Sequence, residues 1–100
     1  MSSFEYEGKT YELKMTRAGV RAAEHLGLSM AEMTDKPQSS LALLFFASLF
    51  STYKINPGKS DTMLDSLLDS GDLKFDTLFE ELSEEYSDLF GLAESKAKTK

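Results

Sequence analysis

The stretch Leu41-Ala-Leu-Leu-Phe-Phe-Ala-Ser-Leu-Phe-Ser-Thr-Tyr53 decides the fold. On a helical wheel of 3.6 residues per turn, Ser48, Ser51 and Thr52 set a polar side. Ala42, Leu43, Phe45, Phe46, Ala47, Leu49, Phe50 and Tyr53 fill the rest, an arc of roughly 200° where a surface helix needs only a little over 100°. Such a helix is the centre of its own bundle or is shared with another molecule. The two are compatible, because a small bundle can leave part of the arc uncovered. The run Leu41 to Phe50 is broken by Ser48 and is shorter than the roughly 20 residues that cross a bilayer.

Before this helix, Phe4-Glu5-Tyr6, Glu7-Gly8 and Lys9-Thr10-Tyr11-Glu12-Leu13-Lys14 alternate apolar and polar residues around a turn, which is the pattern of a β-hairpin. A lone hairpin is marginal in water, so its aromatic face must pack on helices or on another chain. Thr16 caps a helix to about Leu26, with Gly27 as its stop and Val20, Ala23 and Leu26 on one side. Ser29-Met30-Ala31-Glu32 matches a capping box and opens a short helix that ends before Pro37. Ser39 or Ser40 caps the long apolar helix, which reaches about Lys54.

After it, Asn56-Pro57-Gly58 reads as a turn. A helix from about Asp61 to Ser70 turns Met63, Leu64, Leu67 and Leu68 inward and Asp61, Asp65 and Asp69 outward, and Gly71 stops it. Asp76 caps a last helix over about Thr77 to Phe90, with a stripe of Leu78, Leu82, Tyr86 and Leu89 helped by Phe79 and Phe90, and Gly91 follows. The expected fold class is mainly α: a small bundle of four to five helices with an N-terminal β-hairpin at about 3–15. One domain is expected over 1–91, and 92–100 is expected to be a disordered Lys-rich tail with little to bury.

The 100 residues carry a net charge of -6, without cysteine or tryptophan and with one histidine. No disulfide scaffold, thiol nucleophile or cysteine metal site is possible. The charge is uneven. Residues 1–60 are close to neutral, 61–95 hold eleven acids against Lys74 alone, and 96–100 add three lysines. This balance disfavours nucleic-acid binding, which draws on clustered Lys and Arg. The N-terminus lacks the apolar core of a signal peptide, so a soluble, intracellular protein is expected, with no membrane partner.

Chemistry is sparse. His25 sits where the helix dipole favours it, and it has no obvious partner for catalysis or metal binding, since Glu24 is its immediate neighbour and Gly27 follows. A calcium loop begun at Asp69 would place Glu80 at position 12, but Gly71, Leu73 and Lys74 fall at positions 3, 5 and 6, so two oxygen ligands and the required glycine are missing. There is no phosphate loop and no nucleophile elbow. The chain is not expected to be an enzyme or to carry a catalytic residue, metal or cofactor.

The last helix is unusual in its charge. Glu80 and Glu84, Glu81 and Glu85, and Glu84 and Asp88 are like-charge pairs four residues apart. Each costs roughly 0.2–0.5 kcal/mol. The acidic face Glu80, Glu81, Glu84, Glu85 and Asp88 is either a solvated surface or a face kept for a basic or amphipathic helical partner.

The order of "GKTYELKMT", "RAGVRAAEHLGLSMAEM", "LALLFFASLFSTYKINPGKS" and "DTMLDSLLDSGDLKFDTLFEELSEEYSDLF" resembles the small tail assembly chaperones of long-tailed bacteriophages and prophages, especially those of Gram-positive hosts. The similarity runs from about Phe4 to Phe90 and consists of helix and apolar patterns without a catalytic signature. The resemblance implies a mainly helical, self-associating protein in the cytoplasm of the bacterial host. Its family coats the aggregation-prone, helical tape measure protein, helps recruit tail tube subunits, and is absent from the mature virion. Many members are also made in a longer, frameshifted form. On this reading Phe45, Phe46, Leu49, Phe50 and Tyr53 are the expected client or self-association surface.

Two other readings remain open. An acidic inhibitor that imitates DNA would use the segment 61–95 but leave the wide apolar helix unexplained. A generic helical adaptor for a basic protein explains each feature weakly.

Overall fold

The Glu7-Gly8 turn has both residues at positive φ, 53° and 77°, the handedness a two-residue hairpin needs. It joins β1 (Ser3–Tyr6) to β2 (Lys9–Glu12), antiparallel, with Phe4 opposite Tyr11 and Tyr6 opposite Lys9. In this computed structural model residues 3–98 are described, with side chains described over 3–89 apart from Met30. Five helices follow the hairpin: α1 (Arg17–His25), α2 (Met30–Asp35), α3 (Pro37–Tyr53), α4 (Pro57–Ser70) and α5 (Phe75–Lys98). The protein is mainly α, a small helical bundle with an N-terminal hairpin.

Local chemistry accounts for the ends of the first two helices. The Thr16 hydroxyl accepts the Gly19 N–H at 3.0 Å and starts α1. At the other end, the Gly27 N–H bonds the Glu24 carbonyl and the Leu28 N–H reaches back to Ala23, a Schellman closure. The closure turns Leu28 into the core and leaves Leu26 49% exposed. Leu26 was expected on the inner side of α1; the chain has already left the helix there, and Leu28 takes that place. Ser29 caps α2 through the Glu32 N–H.

Lys36 alone separates α2 from α3. The long helix begins at Pro37 rather than after Ser39 or Ser40, because proline suits the first helical position, where no N–H is needed. α1, α2, α4 and α5 all pack on α3. Leu41, Leu44, Phe45, Ala47 and Leu49 are fully buried. The hairpin covers another side: Phe4 stacks on Tyr11 at 5.4 Å and meets Phe45 at 5.5 Å, and Tyr11 meets Tyr53 edge-on at 4.9 Å.

The polar side of α3 is a seam between elements. Ser48 is fully buried. Its hydroxyl donates to the Phe45 carbonyl at 2.8 Å and its own carbonyl accepts the Lys14 N–H at 3.0 Å. The Ser51 hydroxyl lies 2.6 Å from that of Thr16. Small side chains here admit α1 closely, and only Thr52 of the three is exposed.

Asn56-Pro57-Gly58, expected as a turn, is the first turn of α4. The Asn56 side chain accepts the Lys59 N–H at 2.8 Å, and Pro57 follows the cap. Met63, Leu64 and Leu67 face the core, Leu68 is half-buried, Asp61, Asp65 and Asp69 are exposed, and Gly71 ends α4 at φ 87°. α5 starts at Phe75, ahead of the expected Asp76 cap, and its backbone runs through Gly91, where an end was expected. A single glycine costs a helix only about 1 kcal/mol. The expected tail over 92–100 falls on residues whose side chains, and at 99 and 100 whose backbone, lie outside the description. Among the described residues no helix is long and apolar enough to cross a membrane.

Candidate interaction surface

The expected client surface divides. Phe45, Phe46 and Leu49 are core residues, no more than 3% exposed. Their placement on a surface is corrected: the hairpin and four helices use up the wide arc of α3. Phe50 and Tyr53, from the last turns, are half-buried. Phe50 leans on Phe46, ring centres 5.3 Å apart. The Tyr53 hydroxyl accepts the Glu12 N–H at 2.8 Å, so this ring pins β2 to α3.

The acidic residues of α5 also divide. Glu80, Glu84 and Asp88 are exposed, whereas Glu81 and Glu85, one turn apart, are half-buried on one flank. Glu85 accepts the Met15 N–H at 3.4 Å, where the chain leaves β2 for α1. Burial raises the Glu85 carboxyl above the ordinary glutamate value; the Met15 bond opposes this, and the charges of Glu81 and Asp88 add to it. Next along the helix, the buried Tyr86 phenol is hydrogen-bonded to Glu24 on α1, and burial, then the Glu24 charge, raise its pKa. Glu85 and Tyr86 therefore tie α5 to the chain around α1. On α4, burial and then Asp65 raise Asp61.

The other flank of α5 combines two kinds of side chain. Phe75 and Phe79 lie one turn apart with rings stacked at 5.7 Å, both half-buried. Asp76 and Glu80 follow them in sequence and are exposed. One residue is a step of about 100° around a helix, so an aromatic row and an acidic row run side by side, and Glu84 continues the acidic one. Sequence reasoning passed over Phe75 and counted Phe79 only toward the stripe. The signal was available: Phe75-Asp76 recurs as Phe79-Glu80 at helical spacing.

His25 is exposed at the end of α1, beside a shallow hollow of about 300 Å³ shared with Arg21 and Glu24. Among the described residues no group of three or more His, Asp or Glu side chains is placed to hold a metal ion. A hollow of about 430 Å³ lies between the end of α1, α2 and the start of α3, lined by Leu26, Ser29, Glu32, Lys36 and Leu43 among others. Its rim carries an exposed Glu32–Lys36 pair at 3.7 Å. Nothing in it resembles a nucleophile with its base.

The arrangement is that of a small helical module with charged and aromatic strips. The chain belongs to the family described as a domain of unknown function, DUF5055, which matches residues 2–100. No curated protein and no solved structure matches it.

Proposed function

We propose that the protein is a tail assembly chaperone of a long-tailed phage or prophage, which binds and solubilises the tape measure protein during tail morphogenesis. It acts in the cytoplasm of the bacterial host, self-associates, helps recruit tail tube subunits, and stays out of the finished virion. The observation that carries this reading is the α5 surface, where the half-buried Phe75 and Phe79 run beside the exposed Asp76, Glu80 and Glu84. The order of sequence features shared with such chaperones supports the same reading.

The mechanism is physical. A tape measure helix exposes apolar faces until the tube encloses it. Burying them gains roughly 25 cal/mol per Å², less the cost of association. Acidic rows beside the apolar strip keep the loaded complex soluble by repulsion. Both contributions are modest and reversible, which suits a client that must later be released.

Co-expression with a candidate tape measure protein tests this reading. The chain is expected to raise the client's soluble fraction and to co-purify with it. A client equally insoluble with and without the chain rejects it.

A further inference from the structure

We propose that the strip Phe75, Phe79, Asp76 and Glu80 on α5 is a docking site for an amphipathic helix whose apolar face is flanked by lysine or arginine. This deepens the chaperone reading and rests on it for the partner's role, while the partner's chemistry comes from the strip itself.

The aromatic pair supplies the apolar contact. The two rings are stacked at 5.7 Å and packed against the core, with part of their surface left accessible. A partner helix therefore meets a surface that is already ordered, and loses little further side-chain freedom on docking. Phe75 and Phe79 are one turn apart, the spacing at which a second helix can set a row of side chains against them.

The acidic row selects the partner. Asp76 and Glu80 are exposed on the outer side of the pair, and Glu84 extends their row. None of these three carboxylates forms an ion pair among the described residues; the salt bridge there is Glu32 with Lys36, on another part of the chain. A helix lying on the phenylalanines brings its own flanking residues against this row. Lysine or arginine there gains from it, and glutamate or aspartate is repelled.

About a two-fold axis passing through the acidic row, Asp76 and Glu80 of one copy would approach those of the other, which disfavours that arrangement of a second copy as the occupant.

Two synthetic helical peptides test the site. They share one apolar face, flanked by lysine in the first and by glutamate in the second, and are titrated into the full-length protein labelled with ¹⁵N. The lysine peptide is expected to bind about tenfold tighter or better, a preference worth about 1.4 kcal/mol, to shift the amides around Phe75 to Glu80, and to weaken with salt. The double variant Asp76→Lys with Glu80→Lys alters only exposed positions and is expected to reverse the preference. Equal binding of both peptides, shifts centred outside α5, or concentration-dependent shifts of the same amides without peptide would each overturn the site. The co-expression assay separates the two proposals. If the charge-reversed variant solubilises the tape measure protein as well as the natural chain does, this site is wrong and the chaperone reading stands. If the lysine peptide docks as expected but no tape measure protein is solubilised, the site stands and the chaperone reading fails.

Discussion

Gly19 on α1 faces the Ala47 carbonyl of α3 so closely that a Cβ at Gly19 would overlap the oxygen. The glycine is helical, and its value lies in the space it leaves. Alanine would gain up to about 1 kcal/mol in helix propensity. Overpacking against a fixed backbone oxygen costs about 1–3 kcal/mol, so the clash prevails. Gly19→Ala is expected to lower the melting temperature by several degrees. A melting temperature unchanged or raised would show that α1 does not sit this close to α3.

Asn56 separates a turn from a helix start. As the cap of α4, accepting the Lys59 N–H at 2.8 Å, its replacement by alanine should cost about 1 kcal/mol. For a domain of this size that lowers the melting temperature by roughly 4–8 °C. A shift below a degree would return residues 56–58 to the status of a turn.

Tyr53 offers a local readout. Tyr53→Phe keeps the ring against Tyr11 and removes the acceptor of the Glu12 N–H. The expected loss is about 0.5–1.5 kcal/mol, with faster hydrogen exchange at the Glu12 amide. Unchanged exchange there would mean that the hydroxyl does not hold the strand.

Glu85 sets a pH dependence. Its pKa is raised in the folded state, chiefly by burial. The folded chain therefore holds this proton more tightly than the unfolded one. Stability from this group falls as pH rises through the unfolded value, about 4.3, to the higher folded value, and the penalty persists above that. Glu85→Gln keeps an acceptor for the Met15 N–H and removes the charge. The variant should be more stable than the natural chain near pH 7 and equal to it well below pH 4, as measured by denaturant melts. A variant less stable at pH 7 would give the carboxylate a favourable role.

Much of this architecture could be read from single residues, because local chemistry fixes it. Gly8 marks the hairpin turn, Thr16 and Gly27 bracket α1, and Ser29 opens α2. The failures came where one residue type serves two purposes. Ser48 and Ser51 read as the polar side of α3, and small hydroxyl side chains suit solvent and a tight contact between helices equally, so only the position of α1 decides between them. Asn-Pro-Gly suits a turn and also a capped first turn of helix. The width of the α3 apolar arc was legible, but not what covers it. That depends on five elements packing around one helix, which no local pattern of α3 encodes. The surface expected on Phe45, Phe46 and Leu49 was lost to the core for that reason, while the paired Phe-acid spacing on α5 was present in the sequence all along.

Hydrogen exchange of the protein alone and mixed with the proposed client, a tape measure protein, distinguishes α5 from α3 as the binding surface. Docking on α5 predicts added protection around Phe75 to Glu84, with the α3 amides from Leu44 to Leu49 protected equally in both states. Protection gained or lost chiefly in α3, with α5 unchanged, would contradict it and return the binding surface to the central helix.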